Sequence, residues 1–346
     1  MRAPRSALGL VCLLACGSVV VAGCGGGSDS TSQINKEAEA GKSRPAPAKS
    51  AFPATEGRTL GELIEDEASG HPQVKVTPSA EVFYEGANRY PFLVAEKDSA
   101  TGKEGKEIDD AEVAIYYAKI PAVKPGAKSK STNKGLAAKA QAQALEQPAV
   151  GPFPARIETL ATKPAFRDGV TSASQEVAGV VYSAELNFPG DGEYRPVALI
   201  KENGRLVAKK LRSIQVGEFT KIPRPGKKAP LIQTPTKVNY ADVLGKEPIL
   251  LLFTTPKFCQ SRVCGPVLDV ARQAQHDFGG KANFIHMEIY NENDLSQLVR
   301  PQVRRFHLPT EPWLFAINRE GVVSAAIEGP FGTQLMDKTV EKVVGE

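Results

Sequence analysis

The sequence predicts a chain with two folded parts, in which an all-β sandwich precedes a smaller α/β domain. Residues 52–222 contain short β-type runs separated by turn residues, with no helical pattern between the runs. A proline-dense segment, 223–236, separates them from residues 237–346, where strand-like apolar runs alternate with amphipathic helical stretches. The full length of 346 residues is enough for two ordinary domains, so we predict a multidomain protein.

The first residues are typical of an export signal. Arg2 and Arg5 precede an apolar run at 7–22, which ends in Val21-Ala22-Gly23-Cys24. This ending resembles the bacterial lipobox, which implies that residues 1–23 are a cleaved signal peptide and that Cys24 carries a lipid. The resemblance therefore implies attachment to the outer face of the cytoplasmic membrane. Residues 24–51 are mostly small, polar or charged, and we expect a flexible tether there.

The β-rich part has seven candidate strands bounded by turn residues: 74–77, 81–84, 90–95, 111–117, 177–188, 194–201 and 206–214. Asn203-Gly204 between two apolar runs is a strong hairpin signal. About seven strands with hairpin turns favour a β-sandwich. The hairpin at 188–195 resembles the closing hairpin of immunoglobulin-like accessory domains on bacterial envelope proteins, which implies an immunoglobulin-like sandwich over 52–222.

One stretch interrupts the β pattern. Residues near 123–147 are rich in Lys, Ala, Gln, Gly and Ser, with a weak helical stretch at 136–145. We expect a long, partly disordered insert between strands. A basic docking arm is the alternative interpretation of the same charges.

The C-terminal part follows the order βαβαββα. Residues 249–253 are a continuous apolar run, as in a strand buried on both faces, and 267–278 have helical spacing that ends at Gly279-Gly280. A strand at 284–289 precedes a second predicted helix, based on Leu295, Leu298, Val299 and Phe306. A hairpin around 318–321 and a helix at 333–344 complete the domain.

The cysteines point to chemistry at a single place. Cys12 and Cys16 leave with the signal and Cys24 is used for the lipid, so the mature chain keeps Cys259 and Cys264 in an oxidising compartment. A single close pair favours redox chemistry or metal binding over disulfide stapling of the fold. The net charge of +4 is mild and includes two signal arginines, so we expect no nucleic-acid partner.

Two motifs resemble thioredoxin-like proteins. Cys264-Gly265-Pro266 stands between the first strand of the domain and its helix, and Pro312-Trp313 precedes a strand and turn with the family's spacing. The resemblance implies an α/β thioredoxin-like fold over 237–346, with Pro312 in cis and facing the cysteines. The chain departs from the family because Val267 stands where the second cysteine belongs, which leaves Cys259 as the partner in a Cys-x4-Cys pair.

Geometry limits where such a pair can lie. Residues five apart on one helix point about 140° away from each other, so Cys259 must lie in the loop before the helix or the turn must unwind. Pro266 suits the first turn of a helix, which puts Cys264 at or next to the N-cap. Helix N-termini favour a thiolate, and Arg262 adds positive charge. The expected roles are therefore Cys264 as nucleophile and Cys259 as resolving cysteine, with Glu311 opposing thiolate formation unless it points away.

The function predicted from these features is a membrane-tethered thiol–disulfide oxidoreductase. Its expected partners are thiols or disulfides of envelope proteins, and it needs no cofactor. Three alternatives stay open. The first is a permanent, structural disulfide. The second is a thiol peroxidase resembling the bacterioferritin-comigratory type, in which Cys259 attacks peroxide, although Pro256 stands where that type has its threonine and Thr255 is one residue further back. The third is a copper-delivery protein for oxidase assembly, with Cu(I) held by Cys259, Cys264 and His286, or by His307 in its place.

Overall fold

In the computed structural model of the chain, fourteen strands form three sheets within the residues that the structure describes. These residues are 42–70, 72–98, 101–122, 139–167, 177–258 and 262–346. The predicted signal peptide, residues 24–41 of the predicted tether, positions 123–138 of the predicted insert and Cys259 lie outside them. The end of the predicted tether, 42–51, is docked and not flexible, because the Arg44 amide donates to the Ile157 carbonyl at 2.8 Å and the Thr159 amide donates to the Ser43 hydroxyl at 2.9 Å. Within the described residues, no helix is long and apolar enough to cross a membrane.

The first two sheets are antiparallel and belong to the N-terminal part. The strands of the first sheet are β1 (Val74–Pro78), β2 (Gly86–Lys97), β3 (Glu104–Glu107), β6 (Arg156–Thr159) and β7 (Val180–Phe188). Those of the second are β4 (Val113–Lys119), β5 (Val150–Pro154), β8 (Gly192–Glu202), β9 (Arg205–Lys210) and β10 (Ile214–Val216). The order is β1-β2-β7-β6 with β3 on β2 in the first sheet, and β10-β8-β4-β5 with β9 on β8 in the second.

One apolar core joins these two sheets. It contains buried side chains from both, among them Phe92 and Tyr182 of the first sheet and Tyr117 and Tyr194 of the second. The rings of Phe92 and Tyr182 stack at 5.4 Å between centroids. Two sheets that bury their inner faces against each other form the layered arrangement that was predicted. The immunoglobulin-like strand order stays a prediction.

Several predicted boundaries in this part differ from the structure. Residues 81–84 are not a strand, because Val82 packs into the core of the C-terminal part and its N–H is bound by Glu328. The predicted strand at 206–214 is split into β9 and β10. Strands β3, β5 and β6 and the helix α1 (Leu60–Glu67) were not predicted. At the end of the predicted insert, Ala140 and Ala144 are buried against Ile120, so this end is packed and not a free loop.

The C-terminal part is a four-stranded mixed sheet with helices on both faces. Its strands are β11 (Ile249–Phe253), β12 (Asn283–Met287), β13 (Trp313–Ile317) and β14 (Val323–Glu328), in the order β12-β11-β13-β14. Strand β11 pairs in parallel with β12 and antiparallel with β13. The helices are α2 (Tyr240–Val243), α3 (Cys264–Asp277), α4 (Pro301–Arg305) and α5 (Thr333–Gly345).

The alternation of side chains along β11 explains its apolar sequence. Leu250 and Leu252 pack on one face against α3 and α5, while Ile249, Leu251 and Phe253 pack on the other face. The second predicted helix is shorter than expected. Leu295 and Leu298 are 55% and 76% exposed, and only residues 301–305 form an α-helix there.

The two parts pack closely, and Ala40–Glu346 form one compact unit. The predicted linker is itself docked, because the Gly226 and Ala229 amides donate to the Val323 and Gly321 carbonyls of the β13–β14 hairpin. Arg89 of the sandwich donates to the Pro330 carbonyl at 2.5 Å. Glu158 of β6 accepts from the Gly332 amide at 3.1 Å. The sandwich therefore forms part of the surroundings of the α/β domain and is not a separate body on a flexible linker.

Candidate redox site

The site is built where a helix begins beside a buried strand. Helix α3 starts at Cys264, and its N-cap residue, Val263, makes no side-chain capping hydrogen bond. The first intrahelical bond runs from the Val267 amide to the Val263 carbonyl at 2.9 Å. The first turn contains no acidic residue. Cys264 therefore lies at the positive end of the helix dipole, beside amide groups without an intrahelical partner.

Cys264 is fully buried and disulfide-bonded. Its exposed fraction is 0%, and it is the single cysteine among the described residues. Because nucleophilic exchange requires one sulfur to approach another directly, an outside thiol cannot contact this sulfur in the conformation seen here. This burial bears on the expectation that Cys264 is the first nucleophile, since it favours the other sulfur of the bond as the point of first contact.

The segment between β11 and the cysteines is anchored at its beginning. Thr254 and Thr255 are fully buried, and the Thr255 amide donates to the Glu311 carboxyl at 2.7 Å. The Phe258 amide then donates to the Thr255 carbonyl at 3.2 Å, closing a turn. The Phe258 ring meets Tyr290 edge-on at 6.1 Å between centroids. The chain therefore leaves β11 in a fixed direction before it reaches position 259.

Pro312 lies opposite this segment and is preceded by a cis peptide bond, as the resemblance implied. Glu311, the other residue of that bond, has its pKa raised to about 7. Burial is the main cause, the amide of Thr255 works against it, and the nearby Glu288 carboxyl adds to it. Because burial raises its pKa to about 7, Glu311 exists partly as the neutral acid near neutral pH, which weakens its expected opposition to a thiolate.

A second glutamate with a raised pKa, Glu328, lies beside the segment before Pro312. Glu328, at the end of β14, accepts hydrogen bonds from the Val82 amide at 2.8 Å and the Thr310 hydroxyl at 2.5 Å. Burial raises its pKa to about 7 in spite of these donors. The Thr310 hydroxyl also accepts from the Trp313 indole at 3.0 Å. Glu328 thus connects the segment before Pro312 to the sandwich.

The histidines do not form a metal-binding group with other described residues. His286 Nε2 lies 2.9 Å from the Thr254 carbonyl oxygen and 3.8 Å from the Glu288 carboxylate. His307 is exposed at the end of α4. Across the described residues, no three His, Cys, Asp or Glu side chains come together as metal ligands. One His286 nitrogen is held by a backbone carbonyl, and Cys259, another predicted ligand, lies outside the described residues, so binding of Cu(I) stays a prediction.

Arg262 and Thr255 are directed away from the roles considered for them. The Arg262 guanidinium donates to the Gly105 carbonyl of β3 at 3.3 Å, so it serves as a contact with the sandwich. The Thr255 hydroxyl is buried and lies 3.4 Å from the Asn293 side-chain oxygen. A peroxidase needs a hydroxyl and an arginine directed at peroxide. The described contacts of these two groups are with Asn293 and Gly105, and the peroxidase alternative stays a prediction because Cys259 lies outside the described residues.

Two features of the site were not recognised from the sequence. One is Glu328, whose burial depends on contacts between distant segments. The other is the packing of Val263 among sandwich residues. Glu311 was recognised from the sequence, because any side chain next to Pro312 lies beside the predicted site. No sequence signal marked Glu328 or Val263.

Comparisons with known proteins cover only part of the chain. No family model matches it, and neither does any curated protein. Among solved structures, a thioredoxin-family thiol:disulfide interchange protein from Chlorobium tepidum TLS is 19% identical, with a TM-score of 0.28, over 36% of this chain and 97% of its own. A thioredoxin-like superfamily protein is 12% identical, with a TM-score of 0.25, over 36% of this chain and 94% of its own.

A third similar structure is the soluble domain of PmoD from Methylocystis. It is 15% identical, with a TM-score of 0.19, and the match covers 43% of this chain and 95% of that domain. The first two of these structures are described as thioredoxin-family or thioredoxin-like proteins, and each of the three matches covers a minor part of this chain. At these values the similarity carries no functional assignment, and the site must be interpreted from its own geometry.

Proposed function

We propose that this protein is an extracytoplasmic thiol–disulfide oxidoreductase whose redox centre is a disulfide between Cys264 and Cys259. The observation that carries the proposal is that a disulfide-bonded cysteine is the first residue of a helix and so lies at the positive end of its dipole. A sulfur at this position is a good leaving group, because the helix dipole stabilises its thiolate. Such a bond can be opened by an outside thiolate more easily than one between ordinary thiols.

The exchange needs no other co-reactant. An outside thiolate attacks the Cys259 sulfur, a new S–S bond forms, and the bond to Cys264 breaks, with its electron pair leaving on the Cys264 sulfur. A second outside thiolate then attacks the outside sulfur of this mixed disulfide and releases Cys259 as a thiolate. The outside thiols become a disulfide and the protein becomes a dithiol. In the reverse direction, Cys259 attacks a substrate disulfide and Cys264 resolves the mixed disulfide.

This order of attack is the reverse of the order expected from the sequence, and the burial of Cys264 is the reason for the change. In the reverse direction, Cys264 attacks a sulfur within its own chain, so this step does not require exposure to solvent. Pro312 has the proposed role of holding substrate backbone beside the cysteines. The proposed site is thus Cys259, Cys264 and Pro312, without a cofactor.

The proposed location is the outer face of the cytoplasmic membrane, through a lipid on Cys24. The lipobox-like sequence Val21-Ala22-Gly23-Cys24 supports this part of the proposal. The proposed substrates are thiols or disulfides of envelope proteins. Mass spectrometry of protein purified from bacterial membranes tests the anchor. We expect a chain that begins at Cys24 and carries acyl groups, whereas Cys24→Ser should abolish both cleavage before residue 24 and acylation.

Redox titration of the mature chain against glutathione buffers tests the activity. We expect a reduction potential above about −300 mV, since structural disulfides of secreted proteins generally lie below that value. A reduction potential well below that value would contradict the proposed activity and would support the alternative of a permanent, structural disulfide. Cys259→Ser is the matched control, because the same titration of that variant should show no two-electron transition of the pair.

A further inference from the structure

We propose that the sandwich is part of the redox site, because it covers the turn that carries Cys264 and so directs outside thiols to Cys259. The functional consequence rests on the exchange proposed above, whereas the cover itself rests on contacts within the described residues. It gives the sandwich a role in reactivity, with Val263 and Leu160 as positioning residues.

The residue before Cys264 is packed into the sandwich. Val263 is 2% exposed and belongs to an apolar cluster whose other four members are sandwich residues: Leu93, Leu160, Ala178 and Val181. We call this set the cover cluster. Because Val263 is also the N-cap of α3, its position fixes where the helix starts. The sandwich therefore holds the first turn of the helix from the side of its N-terminus.

Hydrogen bonds hold the next residue upstream to the same surface. The Ala178 amide of the sandwich donates to the Arg262 carbonyl at 2.9 Å, and the Arg262 side chain donates to the Gly105 carbonyl. The Glu107 carboxylate accepts from the Gly179 amide at 2.9 Å, which ties these two sandwich segments to each other. Arg262 is thus held at both its backbone and its side chain.

The residues after Cys264 face the sandwich as well. A cavity of about 370 Å³ lies between the first turn of α3, at Gly265 and Pro266, and the sandwich residues Leu160 and Ala178. The sandwich therefore contacts the residue before Cys264, and it faces the two residues after Cys264 across this cavity. Since Cys264 itself has no exposed surface, we attribute its protection to this cover together with the helix's own domain.

The expected consequence is that outside thiols attack the Cys259 sulfur and not the Cys264 sulfur. An attacking thiolate must reach the sulfur it attacks, so covering one sulfur of a disulfide leaves the other as the single point of attack. Loosening the cover cluster should expose Cys264 and allow attack at either sulfur. Loosening the cover cluster therefore changes which of the two sulfurs is attacked, and a general loss of stability does not produce that change.

Alkylation of reduced, full-length Cys259→Ser protein by iodoacetamide tests the cover. Peptide mass spectrometry follows the modification of Cys264 separately from other cysteines. We expect Cys264 to react slowly in this parent, and the added Leu160→Ala to accelerate it by about tenfold or more, since local opening governs access to a buried group. Val181→Ala removes a smaller part of the same cluster and serves if Leu160→Ala does not fold.

Leu199→Ala is the matched control, because Leu199 is equally buried but belongs to a different cluster of the sandwich. It should leave the alkylation rate within about twofold of the parent, since it does not loosen the cover locally. Equal acceleration by both leucine variants, or fast alkylation of Cys264 in the parent, would overturn the inference. Redox titration is a separate measurement, so an inactive pair with a protected Cys264 would contradict the proposed function while leaving the cover in place.

Discussion

Glu158 and Glu328 are both buried at the contact between the sandwich and the α/β domain, yet their pKa values are shifted in opposite directions. Burial alone would raise the pKa of Glu158, but Arg89 and Arg156 outweigh it and the pKa is lowered. The Glu328 carboxyl receives amide and hydroxyl donors, no arginine pairs with it in the described contacts, and burial raises its pKa to about 7. The contact at Glu158 therefore depends on a carboxylate whose charge is balanced by arginines. The contact at Glu328 depends on a carboxyl group that keeps its proton.

A change of pH and the loss of a partner should therefore affect these two carboxyl groups differently. A paired carboxylate keeps its charge over the physiological range, so its contacts are insensitive to pH but sensitive to loss of a partner. An unpaired buried carboxyl is most favourable when it is neutral, so its contacts weaken as the pH rises. The Glu158 pair lies near the start of α5, and Glu328 lies beside the segment that leads to Pro312.

The largest expected effect is loss of the arginine partner. Arg89→Met leaves the Glu158 carboxylate buried with one arginine fewer and removes the donor to the Pro330 carbonyl. Removing one partner of a buried pair costs about 3–5 kcal/mol when the remaining charge is left uncompensated, and we expect a loss toward the lower end because Arg156 still pairs with Glu158 at 2.8 Å. Urea unfolding at pH 7 measures the change in the free energy of unfolding. A loss below about 1 kcal/mol would mean that the pair is as weak as a surface pair.

The next effect is a pH dependence that comes from Glu328. The folded state retains the proton that the unfolded chain releases above a pKa of 4.5, so stability should fall as the pH rises from 4.5 to about 7 and then level off. For a single group with this shift, the loss is about 3 kcal/mol as an upper estimate. Glu328→Gln, which resembles the neutral acid, should flatten the profile measured by urea unfolding. An unchanged slope of unfolding free energy against pH would show that groups other than Glu328 cause the pH dependence.

A smaller effect of the same sign is expected from Glu311. Its pKa is also raised to about 7, but its side chain is only partly buried, so solvent reduces the contribution to stability. Glu311→Gln should change the pH dependence of unfolding less than Glu328→Gln does. It should also move the pH profile of thiol–disulfide exchange, because Glu311 lies next to Pro312. A larger stability effect than that of Glu328→Gln would reverse the order of the two acids.

The smallest effect is expected at the exposed pair between Arg212 and Glu81. Their side chains are 50% and 43% exposed, and such pairs contribute at most about 1 kcal/mol. Arg212→Met should therefore change the free energy of unfolding far less than Arg89→Met, although both substitutions remove an arginine that contacts a glutamate. Equal losses of unfolding free energy in the two variants would show that the buried Arg89–Glu158 pair contributes no more than the exposed Arg212–Glu81 pair.

Local patterns in the sequence predicted the elements that position the cysteine. The apolar run at 249–253 became β11, and the glycine and proline after Cys264 lie in the first turn of α3, as expected. Strand predictions failed where proline or distant contacts intervened. Strand β5 contains Pro152 and Pro154 and was missed, although its pairing with β4 is regular at Ala114 and Ile115.

Other differences come from contacts that a single segment does not reveal. Leu295 and Leu298 have helical spacing but are exposed, so their spacing reflects no buried face. Thr59 and Glu62 form a capping box at the start of α1, a local signal that was present in the sequence and was overlooked. The burial of Cys264 could not be predicted, because part of its cover comes from residues about 85 to 170 positions earlier in the chain.

Trapping of a mixed disulfide tests the central claim most directly. Full-length Cys264→Ser and Cys259→Ser proteins are each reacted with a disulfide-containing peptide, and mass spectrometry identifies the sulfur that carries the peptide. We expect Cys264→Ser to accumulate a stable mixed disulfide on Cys259, while Cys259→Ser accumulates little because Cys264 is covered. Rapid trapping on Cys264, with none on Cys259, would contradict the account.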